Sequence, residues 1–183
     1  MLYHQLPRSF STQPELGLSS FTPQVSSLFK GAANIFEELK KRDILLHHPF
    51  DSFDAFVRWI QAACEDPQVT FIQQTVYRTD VESPIIEALK KAAKTKRVRV
   101  LIELRARFDE LNNIRLAEEL KKAGIEVSFG FGRLKMHAKL ALVMRQEEGG
   151  LRLYSHLSTG NYHTVTARQY EDLAILTAHP EIG

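Results

Sequence analysis

Between Asp43 and Gly130 the chain alternates short apolar runs with longer amphipathic ones, and this rhythm constrains the fold more than any other feature. "DILLHHP" reads as a strand. "FDAFVRWIQAACED" carries helical spacing through Phe53, Phe56, Ile60 and Ala63. "VTFIQQTVYR" is rich in β-branched and aromatic residues and reads as a second strand. "SPIIEALKKAAKTK" is helical, with Ser83 as cap and Pro84 in the first turn. "RVRVLIELR" is a strand, "DELNNIRLAEELKKAG" a helix stopped by Gly124, and "IEVSFG" another strand. Strands separated by helices favour parallel pairing through right-handed crossovers.

After Gly132 the rhythm breaks. "HAKLALVMR" and "LRLYSHLS" flank "QEEGG" and predict a hairpin, and "DLAILTA" predicts one more strand. The expected fold is α/β: a mixed, mainly parallel sheet with helices on both faces and antiparallel C-terminal strands. Residues 1–42 read as an extended lead-in segment with three prolines before "ANIFEELKKR", a short helix; residues 43–183 read as the domain proper.

Ligands of open α/β sheets bind beyond the carboxyl ends of the parallel strands. His47 and His48 end the first strand, Arg78 ends the second, and Arg105 and Arg107 follow the third. The link from Gly130 to His137 is too short for a crossover helix, so the next strand should run antiparallel. Its beginning, with Lys135, His137 and Lys139, then lies at the same edge. The hairpin partner returns "HLSTGN" there, and the last strand starts nearby, after Arg168 and Tyr170.

Net charge is only +2 over 183 residues, so anion binding must come from such local clustering. With 44% hydrophobic and 25% charged residues, the composition is that of a soluble globular domain. The single cysteine, Cys64, sits in a helical pattern beside Ala62 and Ala63 and reads as packing. No apolar run reaches membrane-spanning length and no signal-peptide core is visible, so a cytoplasmic protein is expected.

The edge cluster suits phosphate chemistry. Arginine forks bind phosphate oxygens in pairs. Backbone N–H groups around Ser158, Thr159 and Gly160 could form an anion nest. A neutral imidazole attacks phosphorus, and neighbouring cations favour that neutral form. Taken singly, each residue has an ordinary role: Lys135 and Lys139 as solvated edge charges, "STGN" as a turn, Tyr170 as a core aromatic. Their convergence at one edge favours a phosphoryl-transfer site with His137 as nucleophile.

On these residues the sequence resembles the histidine-phosphorylated polyphosphate kinases. "DILLHHPFDSF", "QTVYRTDVESPII", "ELRARFDELNNI", "LKMHAKLAL", "HLSTGNYHTVTAR" and "YEDLAILTAHPEIG" look like that family's blocks in family order, from about Asp43 to the end. The resemblance implies a phospholipase D-like fold and reversible transfer of the terminal phosphate of ATP to inorganic polyphosphate. It implies that His137 is the phosphorylated histidine, with Lys139 beside it. Arg78 and Arg107 match arginines associated with magnesium and phosphate, and each is expected to hold phosphate oxygens that Mg²⁺ also contacts, without a direct protein ligand to the metal. Lys135, Ser158, Thr159, Gly160, Asn161 and Arg168 are expected to line the phosphate path, and Tyr170 matches a tyrosine associated with the nucleotide. The family enzyme is longer, so the chain is expected to be the first of two catalytic halves, with ATP or ADP, polyphosphate and the second half as partners. The intact enzyme is expected to be a homo-oligomer, cytoplasmic or membrane-associated, and not to bind nucleic acid.

Two other readings compete. One is a polyphosphate- or nucleotide-binding module without turnover. The other is a phospholipase D-like phosphodiesterase; the chain has a single H-x-K motif, and Met144 stands where that signature places an aspartate.

Overall fold

The computed structural model describes residues 21–25, 35–77, 83–103, 110–130 and 135–183. Four helices and seven strands follow in chain order: α1 (Ile35–Lys41), β1 (Ile44–His48), α2 (Asp54–Glu65), β2 (Val69–Val76), α3 (Pro84–Ala92), β3 (Arg97–Ile102), α4 (Glu110–Lys122), β4 (Glu126–Phe129), β5 (Lys139–Glu147), β6 (Gly150–Ser158) and β7 (Asp172–Thr177). The expected helix signals act as read. The Ser83 hydroxyl accepts from the Ile86 N–H at 3.2 Å, with Pro84 behind it in the first turn. Gly124 leaves α4 at φ +86°, a conformation that suits glycine.

The strands form one sheet in the order β1-β7-β6-β5-β2-β3-β4. Pairs β2–β3 and β3–β4 are parallel; β1–β7, β6–β7, β5–β6 and β2–β5 are antiparallel. Hence β1, β2, β3, β4 and β6 share one direction, as the rhythm predicts. The expectation of mainly parallel pairing needs correction, because the reversed strands β5 and β7 slot between those strands rather than at the margin. Antiparallel interfaces therefore outnumber parallel ones.

The helices, expected on both faces, lie on one face among the described residues. Register places Ile72, Gln74 and Val76 beside Val98, Val100 and Ile102, and across β5 and β6 beside Ala141, Val143, Tyr154 and His156. All are buried. Helix α1 lies on this face through Phe36 against Tyr154, with ring centroids 4.8 Å apart, and α2 through Phe56 against His156 at 4.4 Å. Because β2, β3 and β4 step in one direction, right-handed crossovers put α3 and α4 on that face too. Among the described residues no helix covers the other face. There Leu45, Ile175, Leu157 and Leu140 form one row across four strands and line a groove of about 380 Å³.

Helix α1 belongs to this core as well. Its Ile35, Phe36 and Leu39 are buried, although the sequence places it in the lead-in segment before Asp43. At the sheet edge opposite the candidate site, Arg145 bonds Asp66 and Glu147 at 2.9 and 2.8 Å, and Lys40 reaches Glu147 at 2.6 Å. Burial works against the Glu147 charge, but hydrogen bonds from Lys40, Tyr154 and Arg145 win and hold its pKa down to about 2.

Candidate phosphoryl-transfer site

The directions above bring the carboxyl ends of β1, β2, β3, β4 and β6 and the starts of β5 and β7 to one edge. This is the edge expected from the sequence. Arg78, Arg105 and Arg107 lie outside the described residues.

The site is organised around Tyr77, the residue after β2. His137 meets its ring edge-on, with centroids 5.0 Å apart and planes at 79°. The ammonium groups of Lys135 and Lys139 lie 5.6 and 5.5 Å from the same ring centroid. Alternate residues of an extended segment point to one side, which explains the K-x-H-x-K spacing: residues 135, 137 and 139 all reach one aromatic platform. The intervening residues are gripped by their backbone. The Met136 N–H donates to Glu103 Oε2 at 2.6 Å. The Thr75 hydroxyl donates to Ala138 O at 2.8 Å and accepts from the Leu140 N–H at 2.9 Å. Beneath them Asn113, fully buried on α4, donates to Glu103 O at 2.9 Å and Tyr77 O at 3.3 Å. One amide thus ties the ends of β2 and β3 together under the platform.

Lys139 is only 4% exposed, and its Nζ lies 3.1 Å from both ring nitrogens of His137. An ammonium can only donate, so it pairs with the unprotonated nitrogen and favours neutral imidazole. Packing desolvates the His137 ring and, with the Lys139 and Lys135 charges, lowers its pKa below the ordinary 6.5. Desolvation also lowers the Lys139 pKa, against the attraction of Asp172. His137, the candidate nucleophile, thus lies beside a cation with its pKa lowered toward the neutral form.

The anion-nest reading of "STGN" does not match the geometry. The Thr159 N–H donates to Leu173 O at 3.0 Å, and the Gly160 N–H donates to the Ser158 hydroxyl at 3.0 Å, so neither is free for phosphate. The segment instead locks β6 to β7. Thr159 Oγ1 donates to Asp172 Oδ1 at 2.7 Å and accepts from the Leu173 N–H at 3.0 Å. Glycine at 160 allows close approach: a Cβ there would lie 2.5 Å from Asp172 Oδ2 and 2.9 Å from Asp172 Cβ, so the Asp172 side chain would have to shift. Asn161 is partly exposed, with its Oδ1 buried. Arg168 lines a small cavity with Pro49, Asp51 and Phe53, at the β1–α2 turn. Tyr170 is 62% exposed, not a core aromatic.

Tyr77, Glu103, Asn113 and Thr75 were not among the expected site residues. Their signal was weak: each is an unremarkable residue at a strand end or on a helix, given its role only by register. His156, in "HLSTGN", also had no separate role in the sequence. His156 is fully buried, with Nδ1 3.0 Å from Tyr162 Oη, and burial lowers its pKa to about 3, so it is neutral. Among the described residues no group of three or more His, Cys, Asp or Glu could hold a metal ion.

The sheet order and the edge site define the fold class of the phospholipase D-like domains. The phospholipase D family member Nuc from Salmonella typhimurium superposes with a TM-score of 0.55 at 17% identity, over 77% of this chain and 86% of that one. The family follows from closer likenesses. Residues 34–183 match the polyphosphate kinase C-terminal domain 1, and the chain belongs to that family. Polyphosphate kinase of Streptomyces coelicolor is 51% identical over 154 residues, covering 83% of this chain and 21% of that protein. Polyphosphate kinase from Porphyromonas gingivalis superposes with a TM-score of 0.80 at 38% identity, over 97% of this chain and 29% of that one. The chain spans about a fifth to a quarter of the length of the curated relatives it matches.

Proposed function

We propose that this chain is the part of a polyphosphate kinase that accepts the phosphoryl group, on His137. The observation that carries the reading is the His137 imidazole set against the Tyr77 ring, 5.0 Å between centroids, with the Lys139 ammonium 3.1 Å from its ring nitrogens, at the edge where five strands end. A ring nitrogen of His137 attacks the terminal phosphorus of ATP. The N–P bond forms, the bond to the bridging oxygen breaks, and ADP leaves with that electron pair. In the second step a terminal oxygen of polyphosphate attacks the same phosphorus and the N–P bond breaks, returning neutral imidazole. Both steps are displacements and both reverse.

Lys139 and Lys135 supply fixed positive charge toward the transferring group. For attack, Lys139 must exchange its imidazole partner for a phosphoryl oxygen, and its lowered pKa reflects how little water solvates it before then. Arg78 and Arg107 are proposed to clamp the phosphate chain from the ends of β2 and β3, and Tyr170, exposed at the start of β7, to meet the nucleotide. Magnesium is proposed to arrive on the phosphates of ATP, where it offsets their charge. The residues fit a metal carried in this way: the edge carboxylates Glu103, Glu171 and Asp172 are engaged with Met136 N, His47 and Thr159. No helix among the described residues is long and apolar enough to cross a membrane, and the enzyme is proposed to work in the cytoplasm.

The chain's share of its relatives' length favours a second reading, in which the chain alone binds the phosphate chain but turns over only with the remainder of such an enzyme. Phosphodiester hydrolysis stands behind both, since Met144 lies mid-strand in β5 opposite Leu153 and supplies no carboxylate. A graft tests the proposal: this sequence replaces the corresponding part of the Streptomyces coelicolor enzyme. Polyphosphate synthesis from ATP is expected in the graft and expected to vanish in His137→Ala. Synthesis that survives His137→Ala would refute the assignment.

A further inference from the structure

We infer that Glu103 is a positioning residue for His137, acting through the Met136 amide; the inference rests on the phosphoryl-acceptor reading above. Glu103 is 4% exposed, immediately beyond β3, and its Oε2 takes the Met136 N–H at 2.6 Å across 33 residues of sequence. A carboxylate accepting from a backbone N–H makes a short, charge-assisted bond. The same residue's carbonyl is held from below by Asn113, which also holds the Tyr77 carbonyl. One buried frame therefore fixes both the platform and the peptide one residue before the nucleophile.

The downstream side is already fixed, because Thr75 holds Ala138 and Leu140. Glu103 supplies the upstream point. With both, the backbone around His137 is pinned on either side and its imidazole is committed to the gap between Tyr77 and Lys139. With only the Thr75 anchor, the segment pivots at Ala138 and the ring leaves the platform. A displacement on the order of 1 Å is enough to lower a transfer rate about a hundredfold. The contact needs an acceptor atom rather than a charge, and that distinguishes positioning from simple electrostatic balance against Lys135 and Lys139.

The test uses the 183-residue chain in solution, as wild type, Glu103→Gln and Glu103→Leu. Two quantities are read by NMR: hydrogen exchange at the Met136 amide and the titration of His137. Glutamine keeps an acceptor oxygen without the charge; leucine keeps volume without an acceptor. Wild type and Glu103→Gln are expected to protect the Met136 amide, and Glu103→Leu to lose roughly tenfold or more of that protection. His137 is expected to titrate below 6.5 in wild type and in Glu103→Gln, and to move back up in Glu103→Leu as its ring moves away from Tyr77 and the Lys139 ammonium. Equal behaviour of the two variants overturns the inference. So does an unprotected Met136 amide in the wild type, a result that needs no variant to fold. An ordinary His137 titration beside a protected Met136 amide would instead count against the phosphoryl-acceptor reading, so the two failures are distinguishable.

Discussion

Replacing Asn113 should loosen the site from beneath. Its side-chain amide donates to two backbone carbonyls, Glu103 O and Tyr77 O, and no part of the residue is exposed. In Asn113→Ala both carbonyls lose this donor, the Glu103 carbonyl in a fully buried place. Losing a hydrogen bond to a buried acceptor costs about 1–3 kcal/mol, and the second bond, part-buried and 3.3 Å long, is the weaker. A loss of about 2–4 kcal/mol follows. For a domain of this size each kcal/mol moves the melting midpoint by about 2–4 °C, so a drop of roughly 5–15 °C is expected by calorimetry. Asn113→Asp has nearly the same shape and should be worse at neutral pH, because a buried carboxylate faces two carbonyl oxygens. Its folded-state pKa must then be raised above its unfolded value. The penalty is full above the folded pKa and shrinks as pH falls and the neutral acid regains an O–H donor. Melting of Asn113→Asp relative to wild type at pH 7.5 and pH 5 reads this directly. A midpoint for Asn113→Ala within about 2 °C of wild type would refute the argument, as would an Asn113→Asp deficit that is unchanged or larger at pH 5.

Gly160→Ala should displace the Asp172 carboxylate and break its bond with Thr159; overpacking of this kind costs about 1–3 kcal/mol, readable as a lower urea midpoint. Glu147→Gln should weaken the far edge of the sheet in a pH-dependent way. The folded pKa of about 2 lies below the ordinary 4.5, so the stabilisation is complete above the unfolded value and is lost as pH falls through the folded one. The difference between wild type and Glu147→Gln, on the order of 3 kcal/mol near neutrality, should therefore shrink between about pH 4.5 and 2 in acid denaturation. Lys139→Met removes a cation that helps lower the His137 pKa, so the NMR titration of His137 should move to higher pH while packing against Tyr77 keeps it from fully reaching the ordinary value.

Much of this was legible in the sequence because the signals are local. Pro84, Ser83 and Gly124 mark helix ends by chemistry that acts within a turn. The short link before His137 forced an antiparallel strand, and that one step carried the whole edge assignment. The faces were harder to read. A strand such as β3 shows the same alternation whether its second face meets a helix or nothing, and Arg97 and Arg99 on the open face are occupied with Glu126. Strand order was equally silent, so four antiparallel interfaces could not be counted in advance. At the site, Lys135, His137 and Lys139 announced themselves by spacing. Tyr77, Glu103 and Thr75 did not, because their roles depend on partners 33 to 65 residues away. The "STGN" turn misled for a related reason: its N–H groups are free in the sequence but taken by Ser158 and Leu173 once β6 and β7 pair.

The most direct measurement is where phosphate from ATP comes to rest. The graft carrying this sequence is incubated with ATP labelled at its terminal phosphate, quenched in alkali and digested, and the labelled peptide is sequenced by mass spectrometry. The account predicts an acid-labile phosphate on His137, lost again when ADP is added. Label on any other residue, or polyphosphate synthesis with no label on His137, would contradict it.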